Sequence, residues 1–135
     1  MGRERVVVDT NVLVSRLLVA QSTPALAVRK AVDTGQLLAS ATTLEELADV
    51  LSRRGFDAYV TVADRQQFIR LLVRVAEIVP ITLRIRACRD PNDDKFIELA
   101  VNGSADVIVT GDRALLALDP FRGIPIVTPS RYLRP

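Results

Sequence analysis

The chain has no histidine and no tryptophan, a single cysteine, and only four phenylalanines and two tyrosines. Without histidine, an imidazole acid or base, a Ser-His or Cys-His nucleophile and an ordinary His-ligated zinc site are all excluded. Hydrolytic chemistry, if present, must rest on carboxylates, hydroxyls, lysine, arginine or bound metal. The lone Cys88 can close no internal disulfide and complete no cysteine metal cluster, so it reads as a small buried hydrophobe in a reducing compartment. No apolar run approaches the roughly 18 residues of a membrane span. The start, MGRERVVVD, leads straight into a strand-like segment without a small-residue cleavage site. The expectation is a cytoplasmic protein with no membrane contact. So few aromatic side chains make no platform for stacked bases, and a base preference is not legible.

The 135 residues, 49% of them hydrophobic, suit one domain over 1–135 with an appreciable core. Of 18 basic residues only Lys30 and Lys95 are lysines, a bias toward the side chain that reads phosphate bidentately. Residues 5–9 (RVVVD) and 106–110 (DVIVT) have the β-branched look of strands buried on both faces of a parallel sheet. Helices are expected over 11–20, 25–33, 43–53, 62–79, 94–102 and 113–118, with short strands over 37–40 and 124–127, a linking segment over 80–88 and a final turn over 130–133. In the 62–79 segment Phe68, Leu71, Leu72, Val75, Ala76 and Val79 repeat at helical spacing, leaving Arg65, Arg70 and Arg74 off the stripe. Alternating strands and helices imply a three-layer α/β/α sandwich around a mostly parallel central sheet.

Ligands bind such sheets beyond the carboxyl ends of the strands, and both clear strands deliver an aspartate there, Asp9 and Asp112. Glu46 and Asp94 each fall near the start of a helix, where the dipole tolerates negative charge. Four converging acids are costly alone, since two like charges about 4 Å apart repel by roughly 4 kcal/mol at an effective dielectric of about 20. A divalent cation removes that cost, and all-oxygen ligation suits Mg²⁺ or Mn²⁺ better than zinc. Each acid also has a structural use. Glu46 could complete a capping box with Thr43, and Glu45 one with Thr42; Asp90 and Asp112 could each cap a helix. Asp9, following three valines in a sheet interior, needs a partner in either case.

Four segments carry a family resemblance: VVVDTNVL at 6–13, LEELADVL at 44–51, RDPNDDKFIELA at 89–100 and ADVIVTGD at 105–112. In this order they resemble the PIN domain, closest to the VapC-like branch of toxins from bacterial and archaeal toxin–antitoxin pairs. The resemblance implies a PIN-like sandwich and a metal-dependent endoribonuclease. It puts the family's acids on Asp9, Glu46, Asp94 and Asp112, as both catalytic groups and ligands of Mg²⁺ or Mn²⁺, with Asn11, Ser40 and Thr110 as supporting polar residues. The third acid is chosen among Asp90, Asp93 and Asp94. The 18-residue step from Asp94 to Asp112 agrees with the family spacing and puts Asp94 first, with Asp93 as an auxiliary ligand. The resemblance further implies a homodimer and a cognate antitoxin. The 62–79 helix and the apolar face of 25–33 are candidate surfaces for either.

The expected reaction is hydrolysis of an RNA phosphodiester by a metal-activated water, leaving a 5′-phosphate and a 3′-hydroxyl. With the four acids set aside, 18 basic residues face 12 acidic ones, an excess that suits a polyanionic substrate. Lys95 and Arg113, each beside a proposed ligand, are candidate phosphate contacts. Three rivals remain: a degenerate PIN domain that binds RNA or a protein without cleaving, a receiver-like signalling module, and an Asp-nucleophile phosphatase. A receiver carries its acidic pair, not a lone acid, after the first strand. The phosphatase needs an aspartate where Asn11 stands.

Overall fold

Strand β1 (Arg5–Val8) is built from three consecutive valines, each at most 4% exposed. Such a run suits only a central strand covered on both faces. The structure is a computed structural model that describes residues 2–135. In it β1 lies at the middle of a five-stranded sheet of order β3-β2-β1-β4-β5, the other strands being β2 (Gln36–Ala39), β3 (Glu77–Ile78), β4 (Val107–Val109) and β5 (Ile126–Val127). Every pairing in it is parallel. The helices are α1 (Thr10–Leu18), α2 (Thr23–Thr34), α3 (Ala41–Leu51), α4 (Val62–Val75), α5 (Asp94–Asn102), α6 (Arg113–Leu116) and α7 (Pro129–Leu133).

Strand periodicity divides the core in two. Val6, Val8, Leu37, Val107 and Val109 face one cluster, which α2, α3, α4 and α7 complete with Val28, Leu47, Leu72 and Tyr132. Val7, Leu38 and Ile108 face the other, built with Phe96, Ile97 and Ala100 of α5 and Leu115 of α6. Successive side chains of a strand point to opposite faces, so one short sheet serves both layers. The α/β/α sandwich expected from the sequence is the fold observed, and its sheet is wholly parallel. No single helix among the described residues is long and apolar enough to cross a membrane.

The order of the strands matters for function. From β1 the chain builds outward through β2 and β3, then returns to place β4 and β5 on the other side. The crevice above β1 and β4 is therefore the point at which the winding direction reverses, the favoured ligand position in an open parallel sheet.

Three local expectations need correction. The helix expected over 62–79 ends at Val75, and Glu77–Ile78 forms edge strand β3. The backbone N–H of Val79 donates to Ala39 O at 2.8 Å, so the demand of β2 for a parallel neighbour outweighs helical periodicity. The linking segment over 80–88 holds no strand of its own. The stripe on α4 is only half used, because Leu72 is buried while Leu71 and Val75 are 47% and 40% exposed.

Arg65, although off the apolar stripe of that helix, is buried. Its guanidinium donates to Leu51 O and to Asp57 Oδ1, both at 2.8 Å. It thereby ties the C-terminal end of α3 to the 52–61 connection. Replacing Arg65 by Met leaves the Leu51 carbonyl without its donor, which costs about 1–3 kcal/mol. Urea unfolding of Arg65→Met is expected to show that loss; a change below about 0.5 kcal/mol would mean that the clamp contributes nothing.

Candidate active site

Parallel register carries the two strand-end acids to one place. Val8 pairs with Val109, so the next residues, Asp9 and Thr110, emerge side by side at the carboxyl edge. Asp9 is 5% exposed and caps α1, its Oδ1 accepting the Val12 N–H at 2.9 Å. Its Oδ2 accepts a hydrogen bond from the fully buried Thr110 hydroxyl. Thr110 Oγ1 in turn accepts the Asp112 N–H at 3.0 Å, and Asp112 caps α6 through the Ala114 N–H at 2.7 Å. Burial raises the Asp9 pKa above the ordinary carboxylate value; the Thr110 and Val12 donors oppose this, and the charge of Asp112 adds to it. Both aspartates thus serve as helix caps and still share an electrostatic field.

The capping boxes proposed for Thr43 with Glu46 and Thr42 with Glu45 do not form. Ser40, buried at the end of β2, caps α3, and Thr43 completes the reciprocal pair: the Thr43 N–H donates to Ser40 Oγ at 3.2 Å and the Ser40 N–H to Thr43 Oγ1 at 2.9 Å. The short side chain of Thr43 does what a glutamate at that position usually does. Glu46 is therefore left without a capping duty. It lies half-buried one turn further along and accepts a hydrogen bond from Lys95 Nζ at 2.6 Å, while Glu45 is exposed.

The third acid divides into two roles. Asp94 Oδ1 accepts the N–H groups of Cys88 at 2.7 Å and Ala87 at 3.0 Å. Burial would raise its pKa, but these donors outweigh it and hold the carboxyl below the ordinary value. Asp94 thus fastens the incoming loop to the start of α5. Asp93, one residue earlier, makes no capping bond and faces the other acids. Its pKa is pushed up to about 6 by burial, by the charge of Asp112 and of Asp90, by hydrogen bonding with Asp112 and by Glu46. Asp90 is exposed and caps the 3₁₀ turn Pro91–Asp93. The Cys88 thiol, pushed up to about 12 by burial and by Asp94, is no nucleophile at neutral pH.

Asp9, Asp112, Asp93 and Glu46 thus form one chain of mutually felt carboxylates, with Lys95 at its end. Among the described residues no three acids converge closely enough as they stand to grip a cation. The donors nevertheless fit a hard divalent cation: they are all oxygen, and the charges of Asp112 and Glu46 are both felt at Asp93, after the larger effect of its burial. Beside Asp9 and Asp112 opens a cleft of about 400 Å³ lined by Asn11, Ser15, Gly111 and two prolines, Pro24 and Pro129. Asn11 lines this cleft, Thr110 bridges Asp9 and Asp112, and Ser40 caps α3. Ser15, Pro24 and Pro129 escaped sequence reasoning, because nothing in their local pattern marks them as neighbours of Asp9. Arg113 is exposed.

The Asp93 shift has a signed consequence for stability. A carboxyl with a higher pKa in the fold than in the unfolded chain stabilises the fold fully below its ordinary value of 3.8, and that contribution is lost as pH rises through about 6. At pH 7.5 without metal, Asp93→Asn is accordingly expected to melt about 2–4 °C above the parent. At pH 4 the two should nearly coincide. A variant that melts lower at pH 7.5 would contradict the crowding of charge around Asp93.

No curated protein sequence matches the chain. Among solved structures, it is similar to a chain of VapBC2 from Rickettsia felis bound to a DNA fragment from their promoter, at TM-score 0.61 and 12% identity over 92% of this chain and 98% of that one. It is also similar to PAE2754 from Pyrobaculum aerophilum, at TM-score 0.63 and 17% identity over 97% and 88% of the respective chains. Residues 5–114 match the PIN domain, and the chain belongs to that family.

Proposed function

We propose that this chain is a divalent-metal-dependent endoribonuclease acting in the cytoplasm, the toxin member of a toxin–antitoxin pair. The observation that carries the nuclease reading is the line of carboxylates from Asp9 through Asp112 and Asp93 to Glu46, set at the switch point of the sheet in a chain without histidine. PIN domains are typically nucleases. Mg²⁺ or Mn²⁺ held by these residues would supply a metal-activated water and neutralise charge on the phosphate.

The chain's own residues prepare the rest. Thr110 and the Val12 amide fix the Asp9 carboxylate in one orientation. The α6 cap does the same for Asp112, leaving its second oxygen unclaimed by the cap. Asp93 takes the place in the ligand set that spacing alone awarded to Asp94, because one Asp94 oxygen is already committed to two amides. The cleft flanked by Pro24 and Pro129 offers apolar walls and the amide of Asn11 to a nucleotide next to the scissile phosphate. The excess of arginine provides backbone attraction without base readout.

The partner reading draws on the Rickettsia felis VapBC2 complex. A groove of about 810 Å³ runs between α2 and α4, lined by Leu17, Val28, Val32, Phe68, Leu71 and Val75. We assign it to the cognate antitoxin, and leave homodimerisation to another face.

A fluorescent single-stranded RNA tests the catalytic reading. Cleavage is expected with Mn²⁺ or Mg²⁺, to stop with EDTA, and to fall about a hundredfold or more in Asp9→Asn, Asp112→Asn and Asp93→Asn. Asp94→Asn, which loosens a supporting loop, should cost about tenfold. Cleavage that persists in EDTA, or in Asp9→Asn, would sink the mechanism. A larger loss in Asp94→Asn than in Asp93→Asn would return the third ligand to Asp94.

A further inference from the structure

Lys95 is an unusual residue for its position. It lies in the first turn of α5, where the positive end of the helix dipole disfavours a cationic side chain. The structure holds it there through a contact from another element. Its Nζ donates to Glu46 Oε2 of α3 at 2.6 Å, across 49 residues of sequence, and the two side chains are only 17% and 29% exposed. Two long side chains withdrawn this far from water are neither a casual surface pair nor an i,i+4 helix pair.

Charge is distributed unevenly around that contact. Among the described residues no lysine or arginine forms an ion pair with Asp9, Asp93 or Asp112; the ion pairs formed there lie elsewhere, apart from Lys95 with Glu46. The acid line therefore has a single internal cation, placed at one end. The other lysine of the chain is differently employed: Lys30 Nζ donates to the Tyr132 carbonyl at 2.6 Å and sits 4.2 Å above the Tyr132 ring.

We infer that Lys95 is the built-in counterion of Glu46 in the metal-free protein, and that a divalent cation gains Glu46 only by displacing the Lys95 ammonium, which is then free for a substrate phosphate. This inference rests on the metal-dependent reading above. An ammonium offers donors but a single charge, so it satisfies Glu46 while leaving Asp93 and Asp112 uncompensated. A divalent ion answers several carboxylates at once and wins the exchange. Cation affinity is then set by a competition within the molecule, and metal binding exposes a phosphate contact that the metal-free site withholds.

Two measurements test the exchange. The first is Mn²⁺ affinity, from the loss of the free-ion electron paramagnetic resonance signal, in wild type, Lys95→Met and Arg70→Met. Lys95→Met is expected to bind Mn²⁺ about three- to tenfold more tightly than wild type, since the competing cation is gone. Arg70→Met, which removes an exposed charge on α4 away from the acids, should change affinity less than about twofold. The second needs no variant. In protein labelled with ¹³Cε-lysine the two lysines give two resonances, Lys30 being marked by the Tyr132 ring current. Titration with Mg²⁺ is expected to move the Lys95 signal and leave Lys30 in place. Wild type that binds Mn²⁺ while Lys95→Met binds no more tightly, or a Lys95 signal unmoved at saturating Mg²⁺, would overturn the exchange and leave the metal reading standing. Absence of any Mn²⁺ binding in wild type would remove both.

Discussion

The parallel pairing of β1 with β4 is the constraint on which the rest of the site depends. Val8 opposite Val109 sets Asp9 beside Thr110, residues separated by 101 positions. A buried carboxylate is expensive unless donors surround it, and here the α1 N-terminus and the Thr110 hydroxyl provide them. The same hydroxyl accepts the Asp112 N–H. One threonine therefore couples the ends of two strands, and a slip of one residue in this register would turn every valine of β1 toward the wrong layer. Core packing and site geometry are fixed by the same contact.

Electrostatics completes what the register begins. The fold collects acids at one edge, and among the described residues the Lys95 ammonium is the one cation paired with them, through Glu46. Asp9 and Asp93 both have raised pKa values, Asp9 from burial first and Asp93 from burial and its acidic neighbours. Sites of this kind trade stability for the capacity to bind. Asp94 differs: burial would raise its pKa, but the Cys88 and Ala87 amides that one of its oxygens accepts hold it below the ordinary value.

Much of this was legible in the chain. The valine runs marked β1 and β4, and the rule that ligands bind at carboxyl ends of parallel strands made Asp9 and Asp112 the first residues to examine. The choice between Glu45 and Glu46 came from the family resemblance, and in the structure Glu46 is the inward one. What escaped was set by tertiary partners. Adjacent residues at a helix start point about 100° apart, so whether Asp93 or Asp94 faces inward depends on where the 3₁₀ turn Pro91–Asp93 hands over to α5. Linear spacing cannot resolve that. Likewise the burial of Arg65 is not legible in helical spacing, because its acceptors, the Leu51 carbonyl and Asp57, belong to the segment that precedes α4. The end of α4 was misjudged because the pull of β2 on Glu77–Ile78 leaves no trace in helical periodicity.

On the function proposed above, Asp9 belongs to a divalent-cation site in the folded protein. Thermal unfolding with and without millimolar Mn²⁺, in wild type and in Asp9→Asn, tests it most directly, because an ion that binds only the native state must raise its stability. A clear rise in melting temperature is expected for wild type, and little or none for Asp9→Asn. Equal shifts in the two proteins, or no shift in wild type, would contradict it.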